Sequence, residues 1–199
     1  MLPQPVSCLV EGVLDEAVVR RIFAVSSLDA GVFYRRSLPA FKTYLQRFNQ
    51  AANTSCWFAV CDLDRVACAP IRLKDFLPHA ASGMCFRIAV RSIEAWLLAD
   101  RSSLARFLSV SMAAIPHPAE DENEPKARVI ALARRSRSRA IREGMVPAEG
   151  DVRSVGPEYV SMMGEYVRER WDPQRAAAHA PSLSRTLERC RTLAITGRW

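Results

Sequence analysis

The chain lacks the short motifs that identify the commonest metal and nucleotide sites. Its six cysteines form no C-x₂-C pair and its three histidines do not cluster, which argues against a zinc site. It contains neither a G-x-x-x-x-G-K-[ST] phosphate loop nor a G-x-G-x-x-G turn, so we do not expect this chain to hydrolyse ATP. Internal repeats and long low-complexity tracts are also missing, which argues against a repeat architecture.

Long apolar runs are absent as well. No stretch approaches the roughly 20 apolar residues that a membrane-spanning helix needs, so no association with a membrane is expected. The opening residues 1–5 include two prolines and no basic segment, which predicts that no secretory signal is present. Together with the unpaired cysteine pattern, this predicts a cytoplasmic protein with reduced thiols.

The composition is that of an ordinary globular protein with an excess of positive charge. The 199 residues are 49% hydrophobic and 25% charged, which suits one α/β domain with a helical extension. The net charge is +7, and residues 101–199 contribute +5 of it. A basic second half favours a polyanionic partner such as nucleic acid, although general solubility would explain the same excess.

One stretch, residues 56–64, organises the rest of the chain. Six mostly apolar residues, Cys-Trp-Phe-Ala-Val-Cys, run directly into Asp62 and Asp64. The run is too short for a helix and predicts a strand that is buried on both faces, as in a parallel sheet. If the chain remains extended, the two carboxylates leave on the same side. They would then raise each other's pKa unless a cation neutralised them, and Mg²⁺ or Mn²⁺ is the natural partner.

The first hundred residues alternate between strand and helix patterns. This alternation predicts an α/β fold with a mainly parallel sheet and right-handed crossovers, flanked by helices. Further strands are predicted at residues 6–10, 31–34 and 84–90. Helices are predicted at residues 15–23, 38–49, 71–77 and 93–99.

Strand patterns stop after residue 100. We therefore predict an α/β core over residues 1–100 and a helical extension over residues 101–199, packed on that core. One helix is predicted from Pro125 to about residue 141, and two more at residues 158–171 and 182–193. The first of these is rich in arginine. Its candidate phosphate-binding side chains are Lys126, Arg134, Arg135, Arg137 and Arg139.

Acidic residues follow three of the four predicted strands. Glu11 follows the first, Asp62 and Asp64 end the third, and Glu94 lies just beyond the fourth. Because the carboxyl ends of parallel strands share one edge of a sheet, these residues are expected to converge. A glutamate beside metal-binding aspartates suits phosphodiester chemistry, in which the metal offsets phosphate charge and the glutamate moves a proton. Arg91 is a further candidate for holding a phosphate beside the metal.

These residues carry a resemblance to a known fold. Leu-Val-Glu-Gly at residues 9–12, followed by Asp-Leu-Asp at residues 62–64, resembles the TOPRIM fold of topoisomerases, primases and OLD-family nucleases. Three further stretches, at residues 91–100, 124–126 and 180–183, resemble the domain-of-unknown-function family 4276. Its members look like small TOPRIM proteins, often paired with an ATPase of the AAA or ABC type in bacterial defence.

The resemblance implies a role for each acidic residue. Glu11 would act as acid or base or as a metal ligand, and Asp62 and Asp64 would bind Mg²⁺ or Mn²⁺. Glu94 departs from the topoisomerase pattern, and similarity to OLD-type nucleases implies that it completes a second metal site. The expected activity is a metal-dependent nuclease or nickase that acts on nucleic acid.

Plainer roles compete with each of these. Glu11 would cap the following helix, Asp62 and Asp64 would end a strand without binding an ion, Glu94 would only complement a helix dipole, and the arginine-rich helix would be a solvated surface. At the level of function, the alternatives are a non-catalytic module that binds nucleic acid or a partner protein, and a phosphatase for small phosphoesters. The sequence leaves the oligomeric state open.

Overall fold

Residues 5–199 are described by a computed structural model and form an α/β fold. A four-stranded, all-parallel sheet has the order β2-β1-β3-β4. Its strands are β1 (Val6–Val10), β2 (Ala30–Arg35), β3 (Trp57–Asp62) and β4 (Met84–Ala89). The predicted α/β class with a parallel sheet and helical flanks is confirmed. The predicted lack of a secretory signal depends on residues 1–4, which lie outside the described residues.

Helices cover both faces of the sheet. They follow the strands in alternation as α1 (Val13–Val25), α2 (Leu38–Ala51), α3 (Ala69–Phe76) and α4 (Ile93–Ala99). Successive strand residues point to opposite faces, so Phe58 and Val60 join one hydrophobic cluster while Ala59 and Cys61 join another. The first five residues of β3 are buried, as predicted for a strand with both faces covered.

The strand order places a crevice at the carboxyl end of β1 and β3. The chain passes from β1 outward to β2, then returns across β1 to β3 and continues outward to β4. The direction of travel reverses between β1 and β3, and α/β sheets bind their ligands at such a reversal. Parallel register, with Cys8 opposite Phe58 and Leu9 opposite Ala59, brings the ends of these two strands to the same level.

The second half of the described chain is helical, as predicted. It contains α5 (Arg101–Leu108), α6 (Pro125–Arg134), α7 (Arg139–Met145), α8 (Tyr159–Glu169), α9 (Pro173–Ala177) and α10 (Pro181–Thr196). Short 3₁₀ helices lie at Met112–Ala114 and Ala119–Asp121. The larger hydrophobic cluster contains residues from both halves, and all seven residues of α4 are buried within the structure.

Two details of the helical half differ from the sequence prediction. The single helix predicted from Pro125 to about residue 141 is wrong, because α6 ends at Arg134 and α7 begins at Arg139. Two serines cause the break: the Ser136 hydroxyl accepts from the Ser138 amide, and the Ser138 hydroxyl accepts from the first turn of α7. Helix α9 was not predicted, since five residues are too few to show a period.

Residues 5–199 include no helix that combines the length and the apolar character needed to cross a membrane.

Candidate active site at the carboxyl edge of the sheet

Glu11 lies immediately beyond β1 and joins this strand to β3. Its carboxylate Oε1 accepts a hydrogen bond from the backbone amide of Asp62 at 3.0 Å. It does not cap the following helix, which was the plainer role considered for it. Asp15 does so instead, because its Oδ2 accepts a hydrogen bond from the Gly12 amide at 3.1 Å. Glu11 is therefore held where the first and third strands end.

Asp62 is the last residue of β3 and lies at the centre of the acidic group. Its Oδ1 accepts a hydrogen bond from the amide of Ile93, the first residue of α4, at 3.0 Å. Through this contact, Asp62 connects the third strand to the helix that follows the fourth. The predicted convergence of strand ends thus brings together Glu11, Asp62 and the start of α4, although more than 80 residues separate them in the chain.

Asp64 lies outside the strand and does not continue its geometry. Its φ of 52° is in the left-handed region, which aspartate tolerates better than most residues. The expectation that extended backbone aligns the Asp62 and Asp64 side chains is therefore wrong, because β3 ends at Asp62. Asp64 is exposed, and its Oδ2 lies 3.4 Å from Arg72 of α3, a contact that the sequence did not predict.

Glu94 is buried in the first turn of α4, where its side chain is only 4% exposed. The hydroxyls of Ser92 and Tyr159 donate to its two carboxylate oxygens, at 2.8 and 3.3 Å. The Lys126 ammonium lies 3.4 Å from Glu94 Oε1 and supplies the balancing charge. A glutamate that only complemented the helix dipole would not need these two hydroxyls and this ammonium group. Glu94 is instead part of a buried polar network.

Asp15 is the acidic residue that sequence reasoning did not assign to the site. Its position in the first turn of α1 suggested a dipole role alone. The structure places it close enough to Glu94 and Asp62 for their charges to interact. The sequence could have predicted this position from the four-residue spacing between Glu11 and Asp15. A helix that begins at residue 13 turns Asp15 back over the end of β1.

Burial and mutual repulsion disfavour ionisation of these carboxyl groups. Burial raises the pKa of Asp62 well above its usual range, and the charges of Asp15, Glu94 and Glu11 raise it further. Burial likewise raises the pKa of Glu11 to about 7 and that of Asp15 to about 6. Lys126 responds in the opposite sense, because the Glu94 carboxylate raises the pKa of its ammonium group.

An open cleft of about 600 Å³ lies over this group. Its walls carry three of the predicted acids, Asp62, Asp64 and Glu94, together with several basic side chains. The basic residues lining it are Arg65, Arg72, Arg91 and Lys126. A cleft lined by both carboxylates and basic side chains can accept a phosphate group while a bound cation offsets the charge of the acids.

Arg91 and Lys126, both predicted as phosphate contacts, line this cleft. The Arg91 guanidinium also donates to the backbone carbonyls of Asp64 and Val66, at 3.4 and 3.1 Å. It therefore shapes the loop after β3 as well as the cleft wall. Lys126 is half exposed, at 55%, and lies between Glu94 and solvent.

The other four predicted phosphate contacts lie elsewhere. Arg134, Arg135, Arg137 and Arg139 are exposed around the end of α6 and the start of α7. Arg134 is about 12 Å along the helix axis from Lys126, at 1.5 Å per residue. None of the four lines the acidic cleft, so the structure divides the predicted basic residues into two separate groups.

The donor chemistry of the cleft fits a hard divalent cation. Carboxylate oxygens are the ligands that Mg²⁺ and Mn²⁺ prefer. Burial raises the pKa values of Glu11 and Asp62, and the neighbouring carboxylates raise them further, so a bound cation would favour the ionised forms. The positions of these side chains suit a metal ion less completely than their chemistry does. Within residues 5–199, no three histidine, cysteine, aspartate or glutamate side chains are arranged as a ready metal-binding group.

Comparison with known proteins adds no relative. Searches against models of protein families, against curated proteins and against solved structures each found no significant match.

Proposed function

We propose that this protein is a divalent-metal-dependent nuclease or nickase that cleaves phosphodiester bonds in nucleic acid. The observation that carries the proposal is the convergence of Glu11, Asp15, Asp62 and Glu94 at the strand-order reversal of the sheet, beneath a cleft rimmed by basic side chains. The sequence resemblance to TOPRIM proteins and to the domain-of-unknown-function family 4276 supports the same assignment.

The proposal gives each residue a task. Asp62 and Asp64, with Glu94 and Asp15 nearby, would hold Mg²⁺ or Mn²⁺, which when bound would offset phosphate charge and activate water. Glu11, with a pKa of about 7, is suited to accept or donate a proton near neutral pH. Lys126 and Arg91 at the cleft wall would orient the phosphate.

The decisive experiment measures cleavage of supercoiled plasmid and of single-stranded DNA with Mn²⁺ or Mg²⁺. Wild type is compared with Asp62→Asn, Glu11→Gln and the control Asp75→Asn, which changes an exposed acid of α3 that pairs with Lys42 of α2. We expect the first two variants to be about 100-fold slower or worse and the control to match wild type. Equal rates in all four proteins would identify a contaminating nuclease.

A non-catalytic binding module is the second candidate. Two ion pairs favour it, since Lys126 already partners Glu94 and Arg72 already partners Asp64. Such a module would bind nucleic acid or a partner protein without a metal. Calorimetric titration with Mg²⁺ and Mn²⁺ separates the two candidates: if wild type neither binds metal nor cleaves, the enzyme proposal fails for the isolated chain.

A separate ATPase of the AAA or ABC type, within a bacterial defence system, is the partner that the resemblance supports. The chain has no phosphate loop of its own, so ATP-dependent cleavage would need a second protein. The expected result is a cleavage rate that rises with ATP in the complex and does not respond to ATP in the isolated chain.

A further inference from the structure

Two adjoining surface pockets lie where the turn after α5 meets the end of α6. They measure about 400 and 450 Å³ and share Ser109, Val110 and Arg137. Ser109 ends α5 in the left-handed conformation, with φ of 53°, and its carbonyl accepts a hydrogen bond from the Arg137 amide at 3.3 Å. This contact joins two segments that are nearly 30 residues apart and lies in the wall that the two pockets share. We call the pair of adjoining pockets the arginine–serine pocket.

Cations and hydroxyls supply the polar side chains of the arginine–serine pocket. Its charged residues are Arg106, Arg135 and Arg137, and no carboxylate lines either of its two parts. Its hydroxyl residues are Ser102, Ser109 and Ser111. Apolar groups such as Val110 and Leu132 complete the walls. The acidic cleft shares none of these residues, so the two depressions are distinct.

The three guanidinium groups are not used to stabilise the fold. Arginines near helix ends often bind the free carbonyls of the last turn. Two neighbouring arginines do bind backbone carbonyls, because Arg101 donates to the Met112 carbonyl and Arg142 to the Ser136 carbonyl. For Arg106, Arg135 and Arg137, residues 5–199 provide neither an ion pair nor a side-chain hydrogen bond. Three positive charges are therefore available around the two adjoining pockets, with Arg137 common to both.

We propose that the arginine–serine pocket binds a phosphate group. Guanidinium groups bind phosphate oxygens through paired, charge-assisted hydrogen bonds, and serine hydroxyls can donate to the remaining oxygens. Without a carboxylate in the lining, no internal anion competes with the ligand. The phosphate belongs either to a small phosphorylated molecule or to the backbone of a nucleic acid. This site goes beyond the proposed cleavage activity and does not depend on it.

The test is calorimetric titration with pyrophosphate in EDTA, where metal at the acidic cleft cannot contribute. Wild type is compared with the double variant Arg135→Gln/Arg137→Gln. The matched control is Arg134→Gln/Arg139→Gln, which removes the same charge from the same segment but leaves the pocket lining intact. We expect affinity to fall about tenfold or more per pocket arginine, and much less in the control.

A second probe identifies the source of the phosphate. A single-stranded oligonucleotide is titrated into the same three proteins. Loss of pyrophosphate binding alone in the pocket variant indicates a small phosphorylated ligand, whereas specific loss of oligonucleotide binding indicates a backbone phosphate. The proposal is overturned if wild type binds neither probe saturably, or if pocket and control variants lose affinity equally.

A further variant and further measurements test whether the loss of binding is specific to the pocket. Arg106→Gln changes the pocket from the α5 side and is expected to weaken binding independently, while thermal unfolding confirms that each variant remains folded. Plasmid cleavage with Mn²⁺ is also measured on Arg135→Gln/Arg137→Gln, because the acidic cleft shares no residue with the arginine–serine pocket. Lost phosphate binding together with wild-type cleavage in this variant supports the pocket proposal, whereas phosphate binding by a wild-type protein that does not cleave DNA overturns only the proposed function.

Discussion

At the scale of single residues, the surroundings of Asp62 determine the character of the acidic cleft. Three other carboxyl groups, from Glu11, Asp15 and Glu94, act on it, and burial limits the solvation of its charge. Lys126 beside Glu94 and Arg72 beside Asp64 offset part of this acidity. In the metal-free protein, this concentration of acid is expected to cost stability at neutral pH.

The first prediction concerns the pH dependence of that stability. The pKa values of Glu11 and Asp15 are raised to about 7 and about 6, compared with roughly 4.3 and 3.9 in an unfolded chain. Between these values the folded protein holds more protons than the unfolded one, so the free energy of unfolding falls as pH rises. Urea unfolding in EDTA at pH 5, 6, 7 and 8 measures this trend.

Glu11→Gln is the informative variant for that measurement. The amide does not titrate, so the decrease in stability between pH 5 and pH 8 is expected to be smaller than in wild type. The control, Asp75→Asn, alters an exposed acid and is expected to leave the slope unchanged. The raised pKa assigned to Glu11 would be contradicted if the free energy of unfolding of wild type rose with pH through this window, or if Glu11→Gln lost as much stability as wild type.

A second residue-scale prediction concerns Asp100, which the cleft does not use. Its side chain is 2% exposed and accepts hydrogen bonds from the Asp172 amide and from Arg175. We expect Asp100→Ala to lower the free energy of unfolding by about 1–3 kcal/mol, because it removes the acceptor of a partly buried amide and one of the two carboxylates that pair with Arg175. The exposed pair Lys42–Asp75 offers the comparison, and Asp75→Ala is expected to cost less than about 1 kcal/mol.

At the scale of elements, the connections on either side of β4 determine how the cleft is built. The loop after β3 is held by Arg72, which donates to the Leu63 carbonyl, and by Arg91. Before β4, Gly83 packs tightly into the turn after α2: its amide donates to the Ala52 carbonyl, and its carbonyl accepts from the Trp57 amide. These contacts align β4 with β3 and so set the position of α4.

Gly83→Ala tests this alignment. A Cβ atom at this position would lie 2.3 Å from the carbonyl oxygens of Ala52 and Ser55, which are backbone atoms and cannot move aside cheaply. We expect a loss of about 2–3 kcal/mol or more in the free energy of unfolding, measured by denaturant titration.

The control is Gly164→Ala within α8. There the new Cβ meets only the flexible end of Arg168, at 3.1 Å, and alanine favours the helix over glycine by about 0.5–1 kcal/mol. The two substitutions add the same methyl group, yet Gly83→Ala is expected to lower the free energy of unfolding and Gly164→Ala to raise it. A neutral Gly83→Ala would show that the turn relaxes and that this connection does not constrain β4.

At the scale of the whole molecule, the helical half completes the core of the sheet. The larger hydrophobic cluster includes Val10 and Phe58 from the sheet together with Leu183 and Leu187 from α10. A polar contact lies within it, since the Trp96 indole donates to the Ser182 hydroxyl at 2.7 Å. Helix α4 contacts α6 and α9 as well as β4, which explains why none of its seven residues is exposed.

This shared core predicts that residues 1–100 do not fold alone. Without α10 and its neighbours, α4 and one face of the sheet would expose their apolar side chains to water, at roughly 25 cal/mol per Å². Circular dichroism and thermal unfolding of the fragment are expected to show no cooperative transition, while the full chain shows one. A cooperative transition in the fragment would support two independent domains divided near residue 100.

Local patterns were sufficient for most of the elements. Buried strands such as β3 show as short apolar runs, and α1 and α2 show a one-sided apolar face. The break between α6 and α7 was not predicted because it depends on two serine side chains. Their hydroxyls accept hydrogen bonds from backbone amides and so interrupt the helix. Helix α9 was not predicted because a single turn is too short to show a periodic spacing of apolar residues.

The amino-acid sequence by itself determined the α/β class and the placement of Glu11, Asp62 and Glu94 near strand ends, because strand length, alternation and parallel connections are written in local patterns. Only the tertiary structure decided which side chains meet. It placed Asp15 near Asp62 and Glu94, put Arg72 in the cleft wall, turned Asp64 out of the strand, and separated Lys126 from the arginines beyond α6. Those outcomes depend on contacts between residues far apart in the chain, and burial and charge at such contacts have no local signature.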